Sequence, residues 1–289
     1  MTTGALFLPE TRTVRGRGVD LALSAWGPED GPVVLFLHGF LDQGPAWMRV
    51  AEPLAMAGFR VLVYDHRGHG LSDHVGAGGY YHFPDYLTDL EAVIDGLGLE
   101  HLNLVGHSMG GTVAGLFAGL RPERVERLVL VEGLGPPCVD EQGAVDQFVK
   151  HMDHLLAPPK HTVFSSVQDA AERLKRYTPA LDEDLALYLA TRGTREVEGG
   201  YAWRWDALHR TRSPMAYDLQ RHIAILRRVT APTTLVYGAD SWYLSLQYLT
   251  AREEAVRPVA RHVLPGGHAV HIDSAVGLAN VIRDALERK

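Results

Sequence analysis

The sequence predicts an α/β fold: a mostly parallel central sheet flanked by helices, with an inserted helical cap. Between residues 18 and 131, short β-rich apolar runs alternate with amphipathic stretches, which is the pattern of βα units on a parallel sheet. A long polar stretch then separates these units from two further apolar runs near the end of the chain. We therefore expect a core made of residues 1–133 and 229–289, with a cap at 134–228.

Six apolar runs are predicted to be strands, the first four of them buried. They are PVVLFLH (32–38), FRVLVYD (59–65), LNLVG (102–106), RLVLVEG (127–133), TTLVYG (233–238) and RHVLPGG (261–267). The stretches that follow the first three runs have apolar residues at helical spacing. Pro45 and Pro84 lie near the predicted helix starts, and Gly58 and Gly98 near helix ends, as these residue types prefer. Amphipathic stretches also follow the last two runs, which are expected to close the sheet.

The predicted cap is marked by a change of composition. Proline pairs at 136–137 and 158–159 bracket its first part. The stretch up to about residue 228 is polar, charged and helix-like, with no buried strand run. This favours helices inserted between two strands of the sheet.

Composition excludes several classes of function. The net charge is −7, and acidic and basic residues are interspersed without a basic patch, so nucleic acid is not an expected partner. The apolar run ALFL near the N-terminus is too short for a signal-peptide core. Cys138 is the only cysteine, so no internal disulfide forms. Runs such as VVLFL are far too short to span a membrane. We expect a cytoplasmic protein without a membrane partner.

A G-x-S-x-G string surrounds Ser108 and lies between a predicted strand and a predicted helix. In a nucleophile elbow the turn is so sharp that the residues two before and two after the serine barely tolerate a Cβ. Gly106 and Gly110 occupy these two positions. The string alone is a weak signal, and its place between strand and helix makes it specific.

Four segments together resemble the α/β-hydrolases. They are LHGF (37–40), YDHRGHGLSD (64–73), GHSMGG (106–111) and PGGHAVH (265–271). Three more segments resemble the serine hydrolase-like subfamily: HGFLDQGPAW (38–47), GGYYHFPDYLTDL (78–90) and LATRGTREVEGGYAWRWD (189–206). The resemblance covers almost the whole chain, the cap more loosely. It implies a serine nucleophile, a histidine base and a carboxylate that orients the base.

His268 is the predicted base. It follows the last strand run on the Pro-Gly-Gly loop at 265–267, which agrees with the order serine, acid, histidine of this fold. His271 lies three residues further on and is expected to pack or to contact the cap.

Two histidine pairs have spacing that could suit metal ligands. They are His66 with His69, and His151 with His154. Neither pair has carboxylates or cysteines at metal-site spacing nearby, so we expect surface or loop histidines and no metal. No cofactor is expected either.

Two carboxylates compete for the role of the acid. Most members of the fold carry it in a G-x-x-D string after the penultimate strand, but here that loop reads GADS, with Ser241 in the expected slot and Asp240 before it. Glu132 ends the strand after the elbow helix, a position that the serine hydrolase-like subfamily uses for its acid. A carboxylate there would be costly to bury unless it is paired. We favour Glu132 and keep Asp240 as the alternative.

An oxyanion hole needs two N–H donors where negative charge develops. By position these are the backbone amides of Met109 and Phe40, with Gly39 allowing a close approach and His38 supporting the loop. The pocket is expected under the cap. Candidate pocket residues, each of which could equally be a packing residue, are His107, Trp47, Tyr201, Trp203, Trp205 and Trp242.

These features predict two-step acyl transfer on a small-molecule carboxylic ester. A serine at the elbow argues against the haloalkane dehalogenase and epoxide hydrolase relatives, whose nucleophile is an aspartate. Two alternatives stay open: a ligand-sensing receptor with little turnover, or the same residues acting on thioesters, lactones or carbon–carbon bonds. The oligomeric state is left open.

Overall fold

The structure, a computed structural model, describes residues 6–211 and 213–288. Ten strands follow in chain order: β1 (Glu10–Arg15), β2 (Asp20–Trp26), β3 (Val33–Leu37), β4 (Arg60–Tyr64), β5 (Leu102–His107), β6 (Val125–Val131), β7 (Thr194–Val197), β8 (Gly200–Trp203), β9 (Thr233–Gly238) and β10 (Ala260–Leu264). Eight of them form one sheet in the order β1–β2–β4–β3–β5–β6–β9–β10. From β3 onward its strands are parallel, and β2 is antiparallel to both neighbours.

Helices cover both faces of this sheet. They are α1 (Met48–Met56), α2 (Phe83–Gly96), α3 (Met109–Leu120), α4 (Glu141–Leu156), α5 (Val167–Tyr177), α6 (Glu183–Gly193), α7 (Leu219–Leu226), α8 (Leu249–Val256), α9 (Val270–Asp273) and α10 (Ala275–Glu287). Helices α2, α3, α7 and α8 pack on one face, and α1, α9 and α10 on the other. The prediction of a mostly parallel sheet between helical layers is confirmed. Within the described residues, no helix has the length and apolarity needed to cross a membrane.

The central strands are apolar because both of their faces are buried. In β3, Leu35 and Leu37 point into one apolar cluster while Val34 and Phe36 point into the other. Side chains of a strand alternate between its faces, so a strand covered on both sides needs a continuous apolar run. This is why the runs at β3 to β6 are recognisable in the sequence.

Two strand pairs differ from the sequence interpretation. The hairpin β1–β2 at the sheet edge was not predicted. Strand β1 buries only Val14 and shows no apolar run, whereas β2 was missed although six of its seven residues are buried. The ribbon β7–β8 lies inside the stretch that was expected to hold only helices. Its strands are four residues long and mostly half-buried, so they lack the apolar pattern of a core strand.

Helices α4 to α6 and the ribbon lie between β6 and α7, in the range of the predicted cap. Leu185 and Leu189 of α6 belong to the same apolar cluster as Trp47 and Val63 of the core, so this part packs firmly against the sheet layer. Helix α7 also falls within 134–228, yet it packs on α3 and α8 beside the sheet. The division at residues 134 and 228 stays a prediction.

Candidate active site

Ser108 lies in the tight turn between β5 and α3. Its backbone has φ 52° and ψ −116°, a strained conformation for a residue other than glycine. A Cβ on Gly106 would stand 2.4 Å from the carbonyl oxygen of Gly110, and a Cβ on Gly110 would stand 2.4 Å from that of Leu37. The turn therefore requires glycine at both positions.

His268 reaches Ser108 from the loop after β10. Its Nε2 lies 3.0 Å from the Ser108 hydroxyl oxygen, and its Nδ1 lies 2.8 Å from Oε2 of Glu132. A carboxylate only accepts hydrogen bonds, so Nδ1–H is the donor to Glu132. In the neutral ring this leaves Nε2 as the acceptor for the serine hydroxyl proton. The imidazole is partly open to solvent, with 29% of its side-chain surface exposed.

Glu132 follows β6 and is fully buried. Its Oε1 accepts a hydrogen bond from the backbone N–H of Gly238 at 2.7 Å, and its Oε2 accepts from the Ser241 hydroxyl and from His268. Burial of a carboxylate is costly unless donors surround it, and three donors do so here. The backbone of Glu132 also has a positive φ of 52°.

Asp240, the alternative acid, does not meet His268. Its side chain is exposed, and its backbone N–H donates to the carbonyl of Gly266 at 2.9 Å. Ser241, one residue later, turns inward and is buried. The role of Ser241 as a partner of Glu132 was missed by sequence reasoning, although its place in the expected acid slot was a signal.

The two predicted oxyanion amides border Ser108. Met109 is the first residue of α3, and the first N–H groups of a helix have no partner within the helix. No acceptor in the described residues takes the Phe40 N–H. A Cβ on Gly39 would stand 3.4 Å from the Cβ of Ser108, so the loop that carries Phe40 lies directly against Ser108. Both amides remain our candidates for the oxyanion hole.

His107 holds the loop of His268 in place. Its Nε2 lies 2.8 Å from the carbonyl oxygen of His268, so Nε2–H is the donor in this hydrogen bond. The ring is buried, and burial, followed by the nearby His271 and His268, lowers its pKa well below the ordinary value. His107 is therefore neutral, and it restrains the backbone of the residue whose ring contacts Ser108.

A cavity of about 560 Å³ lies beside this cluster. His107 and Ala269 line its inner end, and Trp203 and Trp205 line the side formed by the ribbon and the following loop. Three of the predicted pocket residues, His107, Trp203 and Trp205, thus face this space. Its volume is in the range of small-molecule sites.

Three other predicted pocket residues do not line the cavity. Trp47 is fully buried and packs edge-on against Phe36, with ring centroids 4.9 Å apart. Tyr201 packs on the apolar cluster, and its backbone exchanges two hydrogen bonds with Phe164. Trp242 is 53% exposed and lies beside the His268 ring, 5.2 Å between centroids, outside the cavity. Sequence reasoning could not separate aromatic residues that pack from those that line a pocket.

His271 is a packing residue, as predicted. It is buried, its ring lies 5.0 Å from that of Trp47, and its Nε2 lies 3.4 Å from Oδ2 of Asp42. Asp42, His107 and His271 each offer one ligand-type atom within 4.8 Å of the others, the one such group among the described residues. Nε2 of His107 binds a backbone carbonyl, whereas its Nδ1 has no hydrogen-bond partner in the part of the chain that the structure describes.

The remaining histidines are more buried than the sequence indicated. His66 and His69, expected at the surface or in a loop, are in a loop but fully buried, and burial lowers the pKa of both rings well below the ordinary value. His38 is also buried and accepts a hydrogen bond from the His66 backbone N–H at 2.8 Å. His151 is buried in α4, and His154 is half-buried one turn later.

Comparisons with known proteins agree with this architecture. The family profile of the alpha/beta hydrolase fold matches residues 32–275. A serine hydrolase-like protein of Danio rerio is 30% identical over 282 residues, which are 93% of this chain and 85% of the relative. The AB hydrolase superfamily protein YfhM of Bacillus subtilis is 36% identical over 273 residues, 91% of this chain and 89% of the relative.

Among solved structures, the thioesterase domain from the curacin biosynthetic pathway is 38% identical with a TM-score of 0.85, covering 95% of this chain and 99% of that domain. The family profile spans most of the chain, and the relatives extend over the core and the inserted helices alike. The chain belongs to the α/β-hydrolase fold family and, within it, to the serine hydrolase-like subfamily.

Proposed function

We propose that the chain is a serine hydrolase that cleaves carboxylic esters through an acyl-enzyme. Ser108 is the nucleophile, His268 the general base and Glu132 the acid that orients it. The observation that carries this proposal is the unbroken line of hydrogen bonds from Ser108 Oγ to His268 at 3.0 Å and from His268 to Glu132 at 2.8 Å. His107 and Ala269, the chain neighbours of Ser108 and His268, line a cavity large enough for a small molecule.

In the first half-reaction, Ser108 Oγ attacks the ester carbonyl and its proton passes to Nε2 of His268. The amides of Phe40 and Met109 stabilise the negative oxygen of the tetrahedral intermediate. The buried Glu132 carboxylate stabilises the imidazolium that forms. His268 then gives its proton to the departing alcohol, and the acyl group stays on the serine.

In the second half-reaction, water attacks the acyl-enzyme. Nε2 of His268 takes a proton from the water, and the same two amides receive the negative charge again. Collapse of the second intermediate releases the carboxylic acid and returns the proton to Ser108. The partial exposure of the His268 ring, 29%, leaves room for this water.

Thioesters are a second candidate class of substrate. The observation in their favour is the 38% identity with the thioesterase domain from the curacin biosynthetic pathway. The same nucleophile and the same oxyanion amides act on a thioester, because the attacked group is again an acyl carbonyl. Lactones and carbon–carbon bonds lack such an observation.

The nucleophile is tested with a fluorophosphonate probe and p-nitrophenyl esters. We expect the probe to label Ser108 in the wild type, and Ser108→Ala to abolish both labelling and turnover. Full turnover by Ser108→Ala contradicts the proposal. Tight ligand binding without steady-state turnover by the wild type supports a receptor instead.

The acid is tested by comparing Glu132→Gln with Asp240→Asn. Both changes replace a carboxylate by an amide of the same shape, and only Glu132 contacts His268. We expect kcat to fall by a factor of about 10⁴ in Glu132→Gln, because the amide favours the wrong tautomer of the histidine, and to stay near the wild-type value in Asp240→Asn. The opposite ranking assigns the acid to Asp240.

A further inference from the structure

The cavity has both apolar and charged lining residues. Apolar members include Phe40, Ala46 and Ala269, and Asp42 is the acidic member. Arg173 of α5 and Arg210, at the end of a short 3₁₀ helix, also line the cavity, and both side chains are exposed. The two arginines therefore lie where the cavity opens to solvent.

Neither arginine has a carboxylate partner. Within residues 6–211 and 213–288, no acidic oxygen lies within 4.0 Å of either guanidinium. Arg173 lies over the ring of Tyr177, 4.8 Å from its centroid, and Arg210 has only a long contact of 3.5 Å from Nη1 to the Lys160 carbonyl. A guanidinium has five N–H donors, so most donors of both residues are available to a ligand.

Two acidic residues of this region have partners of their own. Asp206, four residues before Arg210, accepts hydrogen bonds from the Tyr81 hydroxyl at 2.8 Å and from the Leu208 backbone N–H at 3.0 Å. Asp42, the acidic residue of the cavity wall, faces His271 at 3.4 Å. Two arginines and one aspartate thus line the cavity, in a chain whose net charge is −7.

We propose that Arg173 and Arg210 bind an anionic oxygen group of the substrate, a carboxylate or a phosphate. The planar fork of arginine matches both groups through paired N–H···O bonds. Apolar lining residues such as Leu174, Leu181 and Leu189 offer contacts to an aliphatic segment between that group and the scissile carbonyl. This inference rests on the proposed function, since it names the class of ester that the same site takes.

The test uses two sets of matched substrates at low ionic strength. In the first, mono-p-nitrophenyl esters of glutaric, adipic and suberic acid, each with a free carboxylate, are compared with the neutral monoamides of the same length. In the second, acetyl-phosphopantetheine is compared with acetyl-pantetheine, which differs only in the phosphate on the leaving group. We expect kcat/KM to favour the anionic partner by about tenfold or more in one set.

Two double variants separate cavity charge from net charge. Arg173→Ala with Arg210→Ala removes both cavity arginines, and the anionic-to-neutral ratio of kcat/KM is expected to fall about tenfold. Arg227→Ala with Arg228→Ala removes the same charge from exposed residues outside the cavity. In this control the ratio is expected to stay at the wild-type value. Added salt should reduce the wild-type preference, because these guanidiniums face solvent.

The outcomes distinguish the two proposals. A preference in the first set identifies a carboxylate on the acyl side, and one in the second identifies a phosphate on the leaving-group side. Equal kcat/KM within both sets, or a preference that survives loss of both cavity arginines, overturns the assignment of an anionic substrate. Failure to hydrolyse any of these substrates, neutral ones included, contradicts the proposed function instead.

Discussion

The Ser241 hydroxyl is a direct partner of the Glu132 carboxylate. It donates to Oε2 of Glu132 and accepts a hydrogen bond from the Tyr243 backbone N–H at 3.1 Å. These contacts fix the serine rotamer and so hold the oxygen that also accepts from His268. Ser241 is a positioning residue, because it acts on the reaction only through Glu132.

Ser241→Ala should lower kcat for ester hydrolysis by about tenfold with little change in KM, because loss of one hydrogen bond to a charged group typically costs about 1.5–3 kcal/mol. Ser241→Thr keeps the hydroxyl and should restore most of the loss. The measurement is kcat and KM for a p-nitrophenyl ester in both variants. Equal losses in the alanine and threonine variants would mean that only packing at this position matters.

At this scale the sequence predicted the residues that share one segment better than those that meet across segments. The strained serine turn needs Gly106 and Gly110, and both are readable in one string. The choice between Glu132 and Asp240 depends on which side chain turns inward at the end of its strand. That direction is set by packing of β6 against β9, which no local pattern encodes.

At the scale of elements, a buried ion pair fastens α6 to the sheet layer. Nη1 of Arg192 lies 2.7 Å from Oδ2 of Asp65 and 2.9 Å from Oε1 of Gln43. Asp65 also accepts from the backbone N–H of Gly44 at 2.6 Å. The same carboxylate thus contacts α6 and the loop that continues from Phe40, and both of these elements contribute residues to the cavity lining.

Arg192→Leu should lower the free energy of unfolding by about 3–5 kcal/mol, because it leaves the buried Asp65 carboxylate without its partner. Arg121→Leu is the matched control. Arg121 forms an equally short ion pair with Glu91, 2.6 Å, but its side chain is 45% exposed. Breaking an exposed pair changes stability little, because solvent screens the two charges. Urea denaturation of both variants checks this, and equal losses would show that burial of the pair is not what matters.

Most of the predicted strands have a buried apolar run, but β2 was missed although six of its seven residues are buried, and β10 was predicted although none of its five residues is buried. Strands β3, β4, β5, β6 and β9 are buried along most of their length, and the runs that mark them were found. Strand β1 and the ribbon β7–β8 have no buried apolar run and are held by backbone pairing. Tyr201 of β8, for example, pairs with Phe164, which lies outside the named strands. Backbone pairing of this kind does not require apolar residues at a regular spacing, so it cannot be recognised in the sequence.

At the scale of the whole molecule, the interior holds an unusual number of neutral histidines. His66, His69, His107, His209 and His222 are all buried. Burial lowers the pKa of the first three well below the ordinary value, and it lowers the pKa of His209 and of His222 to about 4. In the unfolded chain these rings would have a pKa near 6.5. The native state binds fewer protons, so acid favours unfolding.

We therefore expect these histidines to leave the free energy of unfolding unchanged above about pH 6.5. As the pH falls from there toward about 4, the free energy of unfolding should decrease progressively. His222→Leu isolates one of them. The pKa of His222 is lowered by burial and by Arg252. Without this ring, the decrease in the free energy of unfolding between pH 7 and pH 5 should be smaller by about 2 kcal/mol. His101→Gln changes an exposed histidine and should leave the pH dependence as in the wild type. Urea denaturation at both pH values measures the difference, and parallel losses in His222→Leu and the wild type would contradict a neutral buried ring at this position.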